Sequence, residues 1–171
     1  MKRLWSDDDL VAHFTLLPQD RQLLQNKTEA IQLGFALQLK CFQYEGRFPE
    51  AVDEIAEEIM VYIAQQLEMP DTLREAYDWT GRRSSEHRQD IRERLGFRST
   101  TLADQEALRA WIINDLLKKE YRPRTLEDQA YDRLRELHLE PPSARQMRRL
   151  VRSALPVLKR MPLAMAKTSS L

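Results

Sequence analysis

One cysteine, four glycines and three histidines leave several kinds of chemistry without material in this chain of 171 residues. Cys41 has no second thiol to join, so no intrachain disulfide forms, and between Leu39 and Phe42 it reads as a buried structural side chain. The glycines form no phosphate-cradling loop, and His13, His87 and His138 lie at no metal-ligand spacing. No cofactor or metal is therefore expected. No acid is singled out for metal-dependent phosphoryl transfer. No apolar run approaches the roughly 18 residues a membrane span needs, and the opening Met1-Lys2-Arg3-Leu4-Trp5 lacks a signal peptide's apolar stretch. A cytoplasmic protein that makes no use of a membrane is the expectation. β-branched residues are scarce, while Leu, Gln, Glu, Arg and Ala dominate, which favours helices over sheet.

Charge is abundant, balanced in total and unevenly distributed. Residues 1–80 hold seven Lys and Arg against fifteen Asp and Glu, a net −8, and residues 81–171 hold twenty against twelve, a net +8. From Pro141 to Leu171 there is no acid, whereas Arg145, Arg148, Arg149, Arg152, Lys159, Arg160 and Lys167 are basic. A basic half of this kind suits a polyanion.

The helix signals run almost the length of the chain. Ser6 with Asp7, Asp8 and Asp9 reads as an N-cap and acidic first turn of a helix ending near Leu16, and Pro18 opens the next. Ile31 to Phe42 alternates in strand period, but its residue types and length predict a helix, stopped by Gly46 and Pro49. Ala51 to Leu67 is periodic, with Ile55, Ile59, Tyr62, Ile63 and Leu67 on one face, and Pro70 begins another helix. Trp79-Thr80-Gly81 marks a boundary, after which an arginine-rich helix runs from Arg82 to Leu95 and stops at Gly96. Ser99-Thr100-Thr101 caps a helix reaching about Tyr121 and ended by Pro123, and Thr125 with Asp128 gives a weak cap for the next, whose stripe is Leu126, Ala130, Leu134 and Leu137 or His138. Pro142 or Ser143 opens the last helix, stopped or kinked by Pro156.

Two segments, Ile63 to Leu73 and Leu134 to Ala144, share a helix, a short Pro-containing turn and a second helix start, the layout of a helix-turn-helix. In the second, Met147, Leu150, Val151, Ala154 and Leu158 keep core spacing, which leaves Arg145, Arg148, Arg149 and Arg152 facing outward. Guanidinium forks bind phosphate oxygens, or guanine O6 and N7, in a bidentate way. In the first, Asp71, Glu75 and Asp78 surround Arg74, so it reads as a packing unit that phosphate would avoid. Arg82, Arg83, His87, Arg88, Arg92, Arg94 and Arg98 form a second basic cluster, in which Arg88 and Arg92 stand one turn apart and can track a backbone, with Ile91 and Leu95 on its buried side. Glu86, Asp90 and Glu93 dilute that cluster, and intrahelical ion pairing is the competing reading.

Several short motifs then bring a family into view. Leu33-Gly34-Phe35-Ala36-Leu37-Gln38-Leu39, Gly46-Arg47-Phe48, Ala64-Gln65-Gln66-Leu67, Arg82-Arg83 with Glu86-His87, Ile91-Arg92, Gly96-Phe97-Arg98 and Arg122-Pro123 resemble the N-terminal region of the Tn-three family transposases, the class II, cointegrate-forming bacterial transposases. The stretch Leu139 to Leu155 continues the resemblance, which runs from about Leu10 to Leu155. It implies an all-helical region that recognises transposon terminal inverted repeats through tandem helix-turn-helix-like modules. It also implies that cutting and joining belong to an acidic triad in a separate RNase-H-like domain, which nothing here matches. The segment from Pro162 to Leu171 departs from the expected helical continuation, so a fragment or truncated transposase is the expectation.

The resulting expectation is an all-α protein of two small modules: an acidic one over residues 1–80 and a basic one over 81–171, with a helix-turn-helix-like unit at about 125–155 and an irregular tail at 156–171. It would bind double-stranded DNA at transposon ends without being an enzyme itself, in a bacterial cytoplasm near the nucleoid. Arg145, Arg148, Arg149 and Arg152 would recognise, and Arg82, Arg83, His87, Arg88, Arg92, Arg98, Lys159 and Arg160 would support. The remainder of a transposase, or a second copy, would be a protein partner. The alternatives are a stand-alone regulator, a truncated transposase acting as an inhibitor, and a helical protein-interaction module.

Overall fold

Leu33 to Phe42 are buried without a break, and this run is the axis of the first of two units in the computed structural model, which describes residues 4–119 and 122–155. The first unit comprises Met1–Gly96 and the second Phe97–Leu171. The architecture is all-α, as the composition predicts, apart from one pair of two-residue strands.

In the first unit the helices are α1 (Asp7–Phe14), α2 (Pro18–Gln22), α3 (Glu29–Glu45), α4 (Glu57–Gln66) and α5 (Arg82–Leu95). Ser6 caps α1 in a reciprocal box with Asp9, as its sequence suggests. The helix α3 overrides the strand-like alternation, because both of its sides are covered, by α1, α4 and α5. Its buried Lys40 pairs with Asp20 at 3.4 Å, and Asp20 also accepts from the Leu17 amide and from Gln43. Cys41 is buried, and burial pushes its thiol far above the ordinary value.

Two expectations of helix are corrected here. Ala51 to Leu67 is not one helix: a 3₁₀ turn at Val52–Glu54 is followed by extended Ile55, which turns its side chain into the core before α4 starts. The segment after Pro70 is a 3₁₀ helix, Asp71–Ala76, and extended Tyr77 ends it, so the Ile63–Leu73 stretch contains no second α-helix. The charge reversal near residue 80 does not coincide with the packing boundary, because Ser84, His87 and Ile91 of α5 are buried in the first unit. Gly96 then ends α5 in the left-handed region at φ 71°.

The second unit contains α6 (Leu102–Trp111), α7 (Pro123–Glu136) and α8 (Ala144–Ala154), with strands β1 (Arg98–Ser99) and β2 (Leu139–Glu140) paired in parallel. Leu108, Ile112, Leu116, Leu126, Leu134, Met147 and Val151 make its core. The α6 helix does not continue to Tyr121 as an α-helix. It widens into a π turn at Ile112–Leu116, with Leu117 N–H donating to Ile112 O at 2.8 Å, which buries Leu116 and Leu117 together; Tyr121 lies outside the described residues. Pro123 opens α7 at its first position, where a missing N–H costs nothing, and Thr125 is not its cap. Leu126, Ala130 and Leu134 are buried as expected, whereas Leu137 and His138 are exposed.

Candidate nucleic-acid interface

Helix α8 follows from its local sequence. Ser143 Oγ accepts from the Gln146 amide, Gln146 Oε1 accepts from the Ser143 amide at 3.1 Å, and the box starts the helix directly after Pro141-Pro142. Met147, Leu150, Val151 and Ala154 are buried. Arg145, Arg148, Arg149 and Arg152 are all exposed, at spacing i, i+3, i+4, i+7. At 100° per residue they occupy an arc of about 100° opposite the buried stripe, and the stripe is about 10 Å long, near three base-pair steps. None of the four enters an ion pair or hydrogen bond with another described residue's side chain. Leu158, Lys159 and Arg160 lie outside the described residues, as does the tail expected at 156–171.

Three connections hold α8 in place. The α7–α8 connector, residues 137–143, carries β2, which pairs Leu139 and Glu140 with Arg98 and Ser99. This seven-residue connector is longer than the turn of three or four residues that joins the helices of a helix-turn-helix. His138 adopts φ 54° to leave α7, and its ring packs on Phe97 at 5.0 Å. From α6, Arg109 donates to Ser153 Oγ at 3.0 Å and to Ser153 O at 3.1 Å, which fastens the last turn of α8.

The Arg82-to-Arg98 set is divided between the two units, and its members in the first unit differ in exposure. Arg82 pairs with Glu86 at 2.7 Å, so the intrahelical pairing that competes with DNA contact is present there. Arg83 is exposed. Arg88 is half-buried and turns inward, donating to Pro49 O at 2.9 Å and Trp79 O at 3.4 Å with its guanidinium over Phe48. Arg92 is half-buried as well. His87 is a core residue: its Nδ1 stands 2.7 Å from Tyr77 Oη and its ring makes a T-shaped contact with Phe35. Burial, and then the charges of Lys27 and Arg83, hold its imidazole below the ordinary value. Burial also pushes the Tyr77 phenol up to about 12, so the phenol stays protonated beside His87.

Arg98 belongs to the second unit, where both its terminal nitrogens meet Asp104, at 2.7 and 2.9 Å. The same carboxylate accepts from the Thr101 amide and hydroxyl in the cap of α6, and Arg98 foremost holds it below the usual carboxylate range. Arg98 thus braces the cap of α6 while its side chain stays exposed. Sequence reasoning missed Arg109 and its neighbours on α6, although Leu102, Gln105, Glu106 and Arg109 repeat the i, i+3, i+4, i+7 spacing seen on α8.

Among the described residues there is no group of three or more His, Cys, Asp or Glu placed to hold a metal ion, and no helix long and apolar enough to cross a membrane. The chain is 28% identical over 132 residues to the transposase for transposon Tn501 of Pseudomonas aeruginosa. The match covers 77% of this chain and 13% of that transposase. A family model described as "Domain of unknown function (DUF4158)" matches residues 1–154, and the chain belongs to that family.

Proposed function

We propose that the chain acts in transposition as a double-stranded-DNA-binding region that recognises transposon terminal inverted repeats, with cutting left to other parts of a transposase. The observation that carries this reading is the exposed arginine stripe on α8, set opposite a continuous buried stripe and free of acids. Phosphate contacts and bidentate contacts to guanine are what such a stripe offers. Charge agrees with the placement. Residues 97–171 carry fifteen Lys and Arg against nine Asp and Glu, a net +6, and residues 1–96 carry the opposite, −6, so phosphate is attracted by the second unit and repelled by the first. The similarity to a transposase supplies the choice of target. The α7–α8 pair serves as a helix-turn-helix with a lengthened connector, in which α8 is the recognition helix and the β1–β2 pairing replaces tightness of the turn.

Fluorescence anisotropy with a terminal inverted-repeat duplex and a scrambled control, each at several salt concentrations, tests the reading. Tighter binding to the repeat is expected. Equal, salt-sensitive binding to both would reduce the chain to a backbone-binding region, and absence of binding to either would contradict the DNA reading and favour protein interaction.

A further inference from the structure

An open groove of about 430 Å³ runs between α6 and α8, lined by one stripe from each helix. Leu102, Gln105, Glu106 and Arg109 come from α6, and Gln146, Arg149, Leu150 and Ser153 from α8, both sets at i, i+3, i+4, i+7. Such spacing places each set along one face of its helix. The chemistry of the lining is unusual for a solvated seam. Leu102 is 78% exposed although it is a large apolar side chain. Glu106 and Arg149 carry opposite charges in one groove, yet neither forms an ion pair with a described residue. Arg149 also belongs to the outward arginine stripe, so the groove is continuous with the proposed DNA surface.

We infer that this groove is a base-reading site, in which Gln105 and Glu106 of α6 determine specificity beside Arg149. The inference rests on the DNA reading of α8. Each group has a matching partner on the floor of a DNA major groove. Arg149 suits guanine O6 and N7, Gln105 suits adenine N6 and N7, Glu106 accepts from cytosine N4, and Leu102 offers apolar contact to a thymine methyl. A phosphate-binding role fits less well, because Glu106 would repel the phosphate that Arg149 attracts. Arg109 is a positioning residue: with its bonds to Ser153 it fixes the spacing of the two stripes. Because the major groove admits one helix, α8 enters and α6 reads from its rim, so α6 addresses a base pair next to the one that Arg149 contacts.

The test selects duplexes from a pool with a randomised core, using the wild-type chain, and then measures binding of Gln105→Ala, Glu106→Gln and Arg149→Ala to the selected duplex and its single-base-pair variants. Gln105 and Glu106 are not in the core, and thermal unfolding of each variant checks that the fold is kept. The expected result is a loss of discrimination at one base pair, about 5- to 150-fold, for Gln105→Ala or Glu106→Gln, with the salt dependence of Gln105→Ala unchanged. Arg149→Ala should affect a neighbouring position. If both α6 variants keep the wild-type preference while Arg149→Ala weakens binding, the groove inference fails and the DNA reading stands. If the wild-type chain selects nothing from the pool and does not bind it, the DNA reading fails and the groove inference with it.

Discussion

The ring of Tyr77 lies where a side chain on Gly34 would stand: a Cβ there would be 2.6 Å from Tyr77 Cδ1 and closer still to other ring atoms. Helix α3 therefore carries glycine at a position where alanine has the higher helix propensity. Gly34→Ala should destabilise the protein by about 2 kcal/mol, because an overpacking cost of about 3 kcal/mol outweighs the roughly 1 kcal/mol of helix propensity gained. Urea denaturation checks the sign. In a Tyr77→Ala background the same change should be neutral or stabilising, and an unchanged cost there would contradict the contact.

A second prediction concerns the buried pair Lys40–Asp20. Lys40→Met leaves the Asp20 carboxylate buried with only the Leu17 amide and Gln43 as donors, so a loss of about 3 kcal/mol is expected. Adding Asp20→Asn should recover part of that loss. Denaturation midpoints that are simply additive in the double variant would show that the two groups do not interact.

The third follows from His87. Its folded-state value is depressed, so protonation favours the unfolded chain and stability should fall as pH drops from about 7.5 through the ordinary histidine value of about 6.5, levelling off below the folded-state value. Gln at this position keeps a hydrogen-bond partner for Tyr77 and removes the titration. Urea midpoints across that pH range should slope less in His87→Gln than in the wild type, and parallel profiles would assign the slope to other groups.

Backbone strain yields the fourth. Glu68 follows the α4 C-terminus at φ 56°, with the Met69 amide donating back to Ala64 O at 3.0 Å. Glu68→Gly should stabilise by about 1 kcal/mol, since glycine occupies this region without the steric cost an L side chain meets. A lower thermal midpoint in the variant would contradict this.

What could be read in the sequence was what is local. The caps at Ser6, Thr101 and Ser143 are reciprocal boxes made within four residues, and each is present. The same holds for the α8 stripe, whose buried and exposed residues sort as their spacing predicts. What escaped depends on distant partners. Nothing near His87 shows that Tyr77 and Phe35 will enclose it, and nothing near Arg88 shows that Pro49 O will draw it inward. The extended Ile55 and the π turn after Trp111 are likewise settled by core positions rather than by propensity. The α6 side of the groove was legible as a stripe, but its meaning depends on α8 lying beside it.

The most direct test of the central claim is the slope of log Kobs against log salt for the wild-type chain and for Arg145→Ala, Arg148→Ala, Arg149→Ala and Arg152→Ala, measured by anisotropy on an inverted-repeat duplex. Each arginine that holds a phosphate should, when removed, make the slope shallower by about 0.9, and one that reads a base should instead relax preference at its base pair. Affinities, slopes and preferences identical to wild type in all four variants would remove α8 from the DNA interface.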